Sequence, residues 1–310
     1  MSVNVLFSAH PERWPQYREL LEAAIADTGI AFTLAIEFDP AEVDYIVYAP
    51  NGGLSDFTPY TRLKAVLSLW AGAESIVGNP TLTVPLARMV DQGLRQGMTE
   101  WVTGHVLRHH LGMDLHINGQ DGVWRRFVPP LSQDRTICLL GLGELGQAAG
   151  EALASLGFNT TGWSRTAKSI PGLTCYDGEA GLLEALDSAE ILVLLLPDTP
   201  ATTDILNTDT LARLPRGAVI INPGRGPLID DDALLAALDS GQIGHATLDV
   251  FRTEPLPADH PYWAHSQVTV TPHIASETRP ETAVRIIAEN IRRGETGEPF
   301  LHLVDRDHGY

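Results

Sequence analysis

Apolar residues gather in short runs along the whole chain, and amphipathic stretches separate many of them. Residues 3–7 (VNVLF) predict a buried strand. Residues 15–27 place apolar side chains three and four apart, the spacing of a helix with one buried face, and Gly29 stops it. Further strands are predicted at 32–36, 44–48 and 65–69, so the first part of the chain reads as a small parallel α/β unit. A long helical pattern covers 98–116. The segment 117–130, with its glycines, Trp124 and Pro129-Pro130, predicts an irregular arm.

A second series then begins. Its strands are predicted at 137–140, 158–162, 191–195, 218–221, 244–249 and 268–270, with helices such as 144–156 and 231–240 between them. That order belongs to a doubly wound parallel sheet. A last apolar helix, 281–293, follows the completed series and is expected to return to the first unit.

The chain has 310 residues, more than one hydrophobic core usually takes, so two domains are expected: 1–97 with 278–310, and 98–277. Lys and Arg number 21 against 39 Asp and Glu, a formal charge of -18. Such a field repels a nucleic acid, and an anionic ligand would need a local cluster of positive charge. Cys138 and Cys175 cannot build a disulfide framework or a four-ligand zinc site and are expected as thiols. The start of the chain lacks the basic n-region of a signal peptide, and no apolar run approaches the ~18 residues of a membrane span. A cytoplasmic location with no membrane partner is expected.

One turn carries a specific signal. The strand ending at Leu140 runs into Gly141-Leu142-Gly143-Glu144-Leu145-Gly146 and then into a helix. In that context Gly141 permits a tight turn, Gly143 lets a pyrophosphate approach the backbone, and Gly146 lets the helix pack on the strand. The helix N-terminus offers N–H groups and partial positive charge to the phosphates. The next strand ends in Ser164-Arg165-Thr166-Ala167-Lys168, without the acid that would bind a ribose 2′-hydroxyl. Arg165 can fork onto a 2′-phosphate, with Ser164 and Thr166 donating beside it and Lys168 adding charge, so NADP(H) is expected over NAD(H).

Three later segments each follow an apolar strand: Asn222-Pro223-Gly224-Arg225-Gly226, Asp249-Val250-Phe251-Arg252-Thr253-Glu254, and Thr271-Pro272-His273-Ile274-Ala275-Ser276. Open α/β sheets bind ligands at such strand ends. Together they supply an anion clamp (Arg225), a titrating acid/base (His273) and a carboxylate to orient it (Glu254), the set that carbonyl reduction needs.

With GWSRTAKSIPG, LLPDTPATTDILN, LLAALDSGQIGHATLDVF, TPHIASETRP and the terminal VDRDHGY, these segments resemble the D-isomer-specific 2-hydroxyacid dehydrogenases over essentially the whole chain. The likeness is greatest to the branch that reduces glyoxylate and hydroxypyruvate. The resemblance implies two doubly wound α/β domains, a Rossmann cofactor domain and a flavodoxin-like substrate domain, with a cleft between them. It implies that His273 protonates the substrate carbonyl oxygen, that Glu254 bonds the imidazole and favours its charged form, and that Arg225 binds the substrate carboxylate. Asp249 would contact the nicotinamide carboxamide or ribose. Leu196-Pro197, Pro223-Gly224 and Ala275-Ser276 would line the cofactor site. Asn51-Gly52-Gly53 would give backbone N–H groups to the carboxylate, and Trp70-Ala71-Gly72 fits a second substrate loop.

The chain departs from relatives at Trp70, where glycine is common, and at Glu74, where aspartate is common. Trp70 either narrows the pocket toward small acids or packs between domains. Arg88 is expected in a structural ion pair, with a role as a further substrate cation as the alternative. His105 and His109, with His110 beside them, have zinc-compatible spacing but no third ligand nearby. No metal is expected; these histidines are assigned to a dimer face or to solvent. The helix at 98–116 and the arm to about 130 imply a homodimer. The expected partner is a small anionic 2-oxo or 2-hydroxy acid. A reductase of bulkier 2-oxo acids and a nucleotide-sensing binding protein of the corepressor type are the alternatives. Formate oxidation is disfavoured, because Glu254 stands where that chemistry's relatives carry glutamine.

Overall fold

A computed structural model describes residues 2–306; residues 307–310, with Tyr310 and most of the terminal VDRDHGY, lie outside them. The chain forms two compact units. One holds the residues up to Leu94 and those from Thr278 on, and the other runs from Arg95 to Glu277.

The first unit contains β1 (Val3–Ser8), α1 (Trp14–Ala26), β2 (Phe32–Ala35), β3 (Tyr45–Tyr48), β4 (Ala65–Ser68), α2 (Glu74–Val77) and β5 (Leu86–Ala87). All five strands are parallel, in the order β2-β1-β3-β4-β5. Every residue of β3 and β4 is buried, as expected of strands covered on both faces.

The chain then forms α3 (Gln92–His110), α4 (Met113–Ile117), β6 (Thr136–Leu140), α5 (Glu144–Ser155), β7 (Asn159–Ser164), β8 (Thr174–Asp177), α6 (Gly178–Asp187), β9 (Ile191–Leu194), α7 (Thr208–Arg213), β10 (Ala218–Asn222), α8 (Asp231–Asp239), β11 (Ile243–Leu248) and β12 (Val268–Val270). The seven strands of the second unit are parallel, in the order β12-β11-β10-β9-β6-β7-β8. The order reverses between β6 and β9, which places the glycine loop after β6 at the switch point where open α/β sheets bind ligands. Alternate residues of β6 feed two cores: Cys138 and Leu140 on one face, Ile137 and Leu139 on the other.

The last helix, α9 (Pro280–Thr296), returns to the first unit as expected. Ala283, Val284, Ile287, Ala288 and Ile291 form its buried stripe, against the core of Tyr17, Leu21 and Ile25. Beyond it, Leu303 makes an antiparallel bridge to Ala87 of β5.

The structure differs from the sequence expectation at the long helix. The helix starts at Gln92, where the Asp91 carboxylate caps it by accepting the Leu94 N–H at 2.7 Å. It does not run through to 116. Gly112 adopts a left-handed conformation (φ 61°) and α4 starts afresh. Strands β5 and β8 were not anticipated: one has two residues, and the other, Thr-Cys-Tyr-Asp, has no buried residue.

The last two histidines of α3 pack against their own unit rather than standing in solvent. His109 Nε2 lies 2.9 Å from Thr247 Oγ1 on β11, and its ring packs 4.8 Å from that of His245. His110 is buried edge-on against Phe158. Burial, then the neighbouring His245 and Arg108, push the His109 pKa down to about 3; burial and Arg108 push His245 to about 4. Both imidazoles lose proton affinity on folding from an ordinary value of 6.5. The unfolded chain therefore binds more protons below that value, and stability falls as pH drops through the window toward 3–4. We expect the melting temperature to fall between pH 7 and pH 5, and to fall less in His109→Gln; an equal fall in both proteins overturns the assignment.

Candidate active site

Five strand ends of the second unit form a continuous arc. It starts at the glycine loop after β6. Gly141 has φ +107°, and a Cβ there would lie 2.5 Å from the Leu195 carbonyl oxygen. A Cβ at Gly146 would lie 1.8 Å from the Gly141 carbonyl oxygen. These two glycines are required by close backbone approach. Gly143 differs: a Cβ there meets nothing within 4 Å, so its lack of a side chain leaves open space at the start of α5. No side chain caps that helix end. Open space, an uncapped helix N-terminus and its partial positive charge form a cradle that fits a pyrophosphate.

The basic turn after β7 lies against this loop. Lys168 Nζ donates to the Leu142 carbonyl at 2.6 Å. Arg165, Thr166 and Lys168 are exposed. Ser164 departs from expectation. It is buried, and its hydroxyl donates to the Thr166 carbonyl at 2.8 Å, so its proton shapes the turn rather than serving a phosphate.

The segment Leu195-Leu196 after β9 connects the glycine loop to the next strand end. Gly224, beyond β10, sits so close that a Cβ would lie 2.8 Å from the Leu194 oxygen and 3.3 Å from that of Leu196. Arg225 follows, half-buried, with Nη1 donating to its neighbour's carbonyl, Gly224 O, at 2.6 Å. Asn222, 1% exposed, shapes this loop from both sides. Its Oδ1 accepts the Gly224 N–H at 3.0 Å and its Nδ2 donates to the Arg225 carbonyl at 2.9 Å. Gly226 then presses on the following loop: a Cβ there would lie 2.0 Å from the Phe251 carbonyl carbon. The Arg225 loop and the Glu254 loop are thus packed backbone to backbone.

Glu254 is held by the Phe251 N–H, which donates to its Oε1 at 2.9 Å. Its other oxygen, Oε2, lies 2.7 Å from His273 Nδ1. A carboxylate only accepts, so Nδ1 carries a proton and Nε2 is the ring nitrogen left for a substrate. His273 itself has φ +54°, a left-handed conformation rare for a residue with a side chain. Its N–H donates to the Asp249 carbonyl at 2.8 Å.

The profile of the D-isomer specific 2-hydroxyacid dehydrogenase NAD binding domain matches residues 105–275. The chain belongs to the D-isomer specific 2-hydroxyacid dehydrogenase family. Glyoxylate/hydroxypyruvate reductase A from Serratia proteamaculans (strain 568) is 41% identical over 257 residues, 80% of this chain and 82% of that protein. A crystal structure of a D-isomer specific 2-hydroxyacid dehydrogenase from Xanthobacter autotrophicus Py2, in complex with NADPH and MES, is 41% identical, with TM-score 0.93 and full coverage of both chains. The structure of an NADPH-dependent glyoxylate/hydroxypyruvate reductase from Sinorhizobium meliloti, in complex with NADP and sulfate, is 34% identical, with TM-score 0.85 and full coverage of both chains.

In this dehydrogenase Asp249 is not placed as the sequence suggested. It is 0% exposed, so it presents no surface to a nicotinamide. Its Oδ1 accepts from the Thr271 hydroxyl (2.6 Å) and the Ile274 N–H (2.9 Å), and its Oδ2 accepts from the Ala275 N–H (2.9 Å). It holds the strained loop that carries His273. Leu196 and Ala275 are likewise buried, while Pro197 and Ser276 are half-buried at the same strand ends.

The dehydrogenase's first unit places the other candidates on two loops. Gly52 packs against the end of β1, where a Cβ would lie 2.7 Å from Ser8 backbone atoms. Its N–H donates to the Ala49 carbonyl at 2.9 Å, so of the three predicted carboxylate donors Gly52 is already engaged. Asn51 accepts from the His10 N–H at 3.3 Å, and Gly53 has φ +84°. Trp70 follows β4, is 43% exposed, and its backbone N–H donates to Ser68 Oγ at 3.0 Å. Ala71 and Gly72 are half-buried behind it, and Arg88 is half-buried with its N–H on the His302 carbonyl.

Sequence reasoning missed Asn222, Thr271 and Arg252 in the dehydrogenase site. Arg252 ties the Glu254 loop down by donating to Asp204 and to the Ile229 carbonyl. Asn222 was findable, as a lone amide ending an apolar strand just before a glycine turn. Among the described residues no group of His, Cys, Asp or Glu is placed to hold a metal ion.

Proposed function

We propose that this chain reduces a small 2-oxo acid, glyoxylate or hydroxypyruvate, to the 2-hydroxy acid, with NADPH as the preferred reductant. The observation that carries this is the 2.7 Å pairing of His273 with Glu254 on an arc continuous with both the Arg225 loop and the glycine cradle. NADPH, when bound, supplies the hydride. Gly141, Gly143 and the start of α5 hold its pyrophosphate, and Arg165, Thr166 and Lys168 bind the 2′-phosphate. Arg225 binds the substrate carboxylate and draws charge toward the carbonyl oxygen. His273 Nε2 gives that oxygen its proton as C2 gains the hydride, and Glu254 keeps the imidazole oriented for the task. NADPH-bound and NADP-bound relatives, and the names of the curated relatives, support the cofactor and the substrate size.

Steady-state kinetics on glyoxylate, hydroxypyruvate and phenylpyruvate, each with NADPH and with NADH, test this. The expected optimum is a small acid with NADPH; strong preference for the aryl acid overturns it. Arg165→Asp should move the NADPH/NADH ratio of kcat/KM toward NADH by about 10- to 100-fold, since a hydrogen bond to a charged group contributes ~1.5–3 kcal/mol.

We further propose a cytoplasmic homodimer. Both cysteines are free, and among the described residues no helix is long and apolar enough to cross a membrane. The arm after α4 exposes Trp124 (96%), Val128 (71%) and Leu131 (67%) within a few residues, an apolar density that favours burial against a second copy.

A further inference from the structure

The loop that carries His273 hangs from a weak part of the sheet. Strand β12 has three residues and lies at the edge, bonded only to β11. Short edge strands open at low free energy, and a left-handed His273 adds strain that the surroundings must hold. Asp249 restrains the loop from the β11 end. A second restraint comes from the last turn of α3.

Arg108 Nη2 donates to Thr269 Oγ1 on β12 at 2.9 Å. His109 bonds Thr247 Oγ1 on β11, also at 2.9 Å. Thr247 stands two residues before Asp249, and Thr269 two before Thr271, so each strand is gripped just ahead of its functional turn. The guanidinium is itself fixed: its Nε–H is shared by the two Asp114 oxygens at 2.8 and 3.1 Å. Asp114 reaches that place because the chain turns through left-handed Gly112 into α4. Arginine only donates, so Thr269 accepts from it and keeps its own proton for His245 Nε2, 2.9 Å away. The set is a closed strap of polar bonds across the two strands that deliver the proton donor and its anchor. On sequence the α3 histidines are assigned to a dimer face or to solvent, and neither role accounts for the bonds to Thr247 and Thr269.

We propose that Arg108 and His109, through Thr269 and Thr247, are positioning residues for His273, an inference that rests on the reductase function above. The strap's side-chain bonds end on β11 and β12 and none ends on β10, which leads into the Arg225 loop, and Thr269 stands on β12, a strand away from β10. Loosening it therefore leaves substrate binding intact and misplaces only the proton donor, and misplacement of about 1 Å can cost on the order of 100-fold in rate.

The decisive pair is Thr269→Val, which keeps the shape and removes the hydroxyl, and Thr269→Ser, which restores it. In Thr269→Val kcat for glyoxylate should fall about tenfold or more with KM within about twofold, and Thr269→Ser should recover most of the loss. Hydrogen exchange gives a readout free of substrate: residues 271–276 should exchange faster in Thr269→Val than in wild type or Thr269→Ser, while 141–146 stay unchanged. If Thr269→Val is poorly folded, Arg108→Met is read in the same two assays, and combining the two changes should add little to either alone. Unchanged kcat and unchanged exchange at 271–276, with only a lower melting temperature, overturn the proposal. Faster exchange in a protein whose wild type reduces no 2-oxo acid refutes the reductase function and leaves the strap standing.

Discussion

His273→Asn lowers kcat for glyoxylate reduction by about 10³-fold, within the ~10²–10⁴ that a positioned acid contributes, and leaves NADPH affinity within about twofold. The split follows from where the residue stands. The NADPH contacts assigned to the glycine loop and the basic turn lie after β6 and β7, at the switch point and beyond it, whereas His273 follows edge strand β12. An asparagine also tolerates the left-handed backbone that His273 adopts at φ 54°, so the loop is kept and only the acid is lost. Glu254→Gln keeps an acceptor for Nδ1 but removes the charge, and should cost less than His273→Asn. Cofactor titration by NADPH fluorescence and kcat from absorbance at saturating substrate read the two halves separately. Unchanged turnover in His273→Asn means that another group protonates the carbonyl.

Much of this architecture was legible in the sequence because parallel strands buried on both faces announce themselves as apolar runs. The runs at Ile137, Ile191 and Ala218 fell where β6, β9 and β10 lie. Their turns carried the glycines and polar residues that a strand end needs. What the pattern could not carry was contact between distant segments. Asp249 ended an apolar strand as a ligand-binding acid would, yet its oxygens are spent on Thr271, Ile274 and Ala275. His109 had the spacing of a surface pair, yet it faces Thr247 across the unit's interior. In both cases the partner lies more than 20 residues away, beyond any periodicity. The short strand β8 escaped for another reason: Thr-Cys-Tyr-Asp at a sheet edge is half-exposed and has no apolar run to detect. The break at Gly112 was visible as a glycine, and the helical pattern on either side overrode it.

Arg225→Lys should lower kcat/KM for glyoxylate by about 10²- to 10³-fold, the scale of losing one preorganised donor to a developing oxyanion, and should act on both parameters. Lysine keeps the charge, so a purely electrostatic role would leave most activity in place. The geometry argues otherwise. Arg225 Nη1 is tied to the Gly224 carbonyl at 2.6 Å, and Asn222 fixes both neighbouring backbone groups, so the guanidinium plane is held from its own loop. A planar fork held in this way can bind a carboxylate and still offer a donor near the adjacent carbonyl oxygen; an ammonium on a flexible stem cannot do both. KM should therefore rise as carboxylate binding weakens, and kcat should fall as the carbonyl loses polarisation. This pattern is distinct from His273→Asn, where KM stays, and from Arg165→Asp, where the change follows the cofactor. Measuring kcat and KM for glyoxylate in Arg225→Lys at saturating NADPH separates the cases. A variant that retains wild-type kcat with only a raised KM would confine Arg225 to binding and leave His273 as the sole polarising group on the carbonyl.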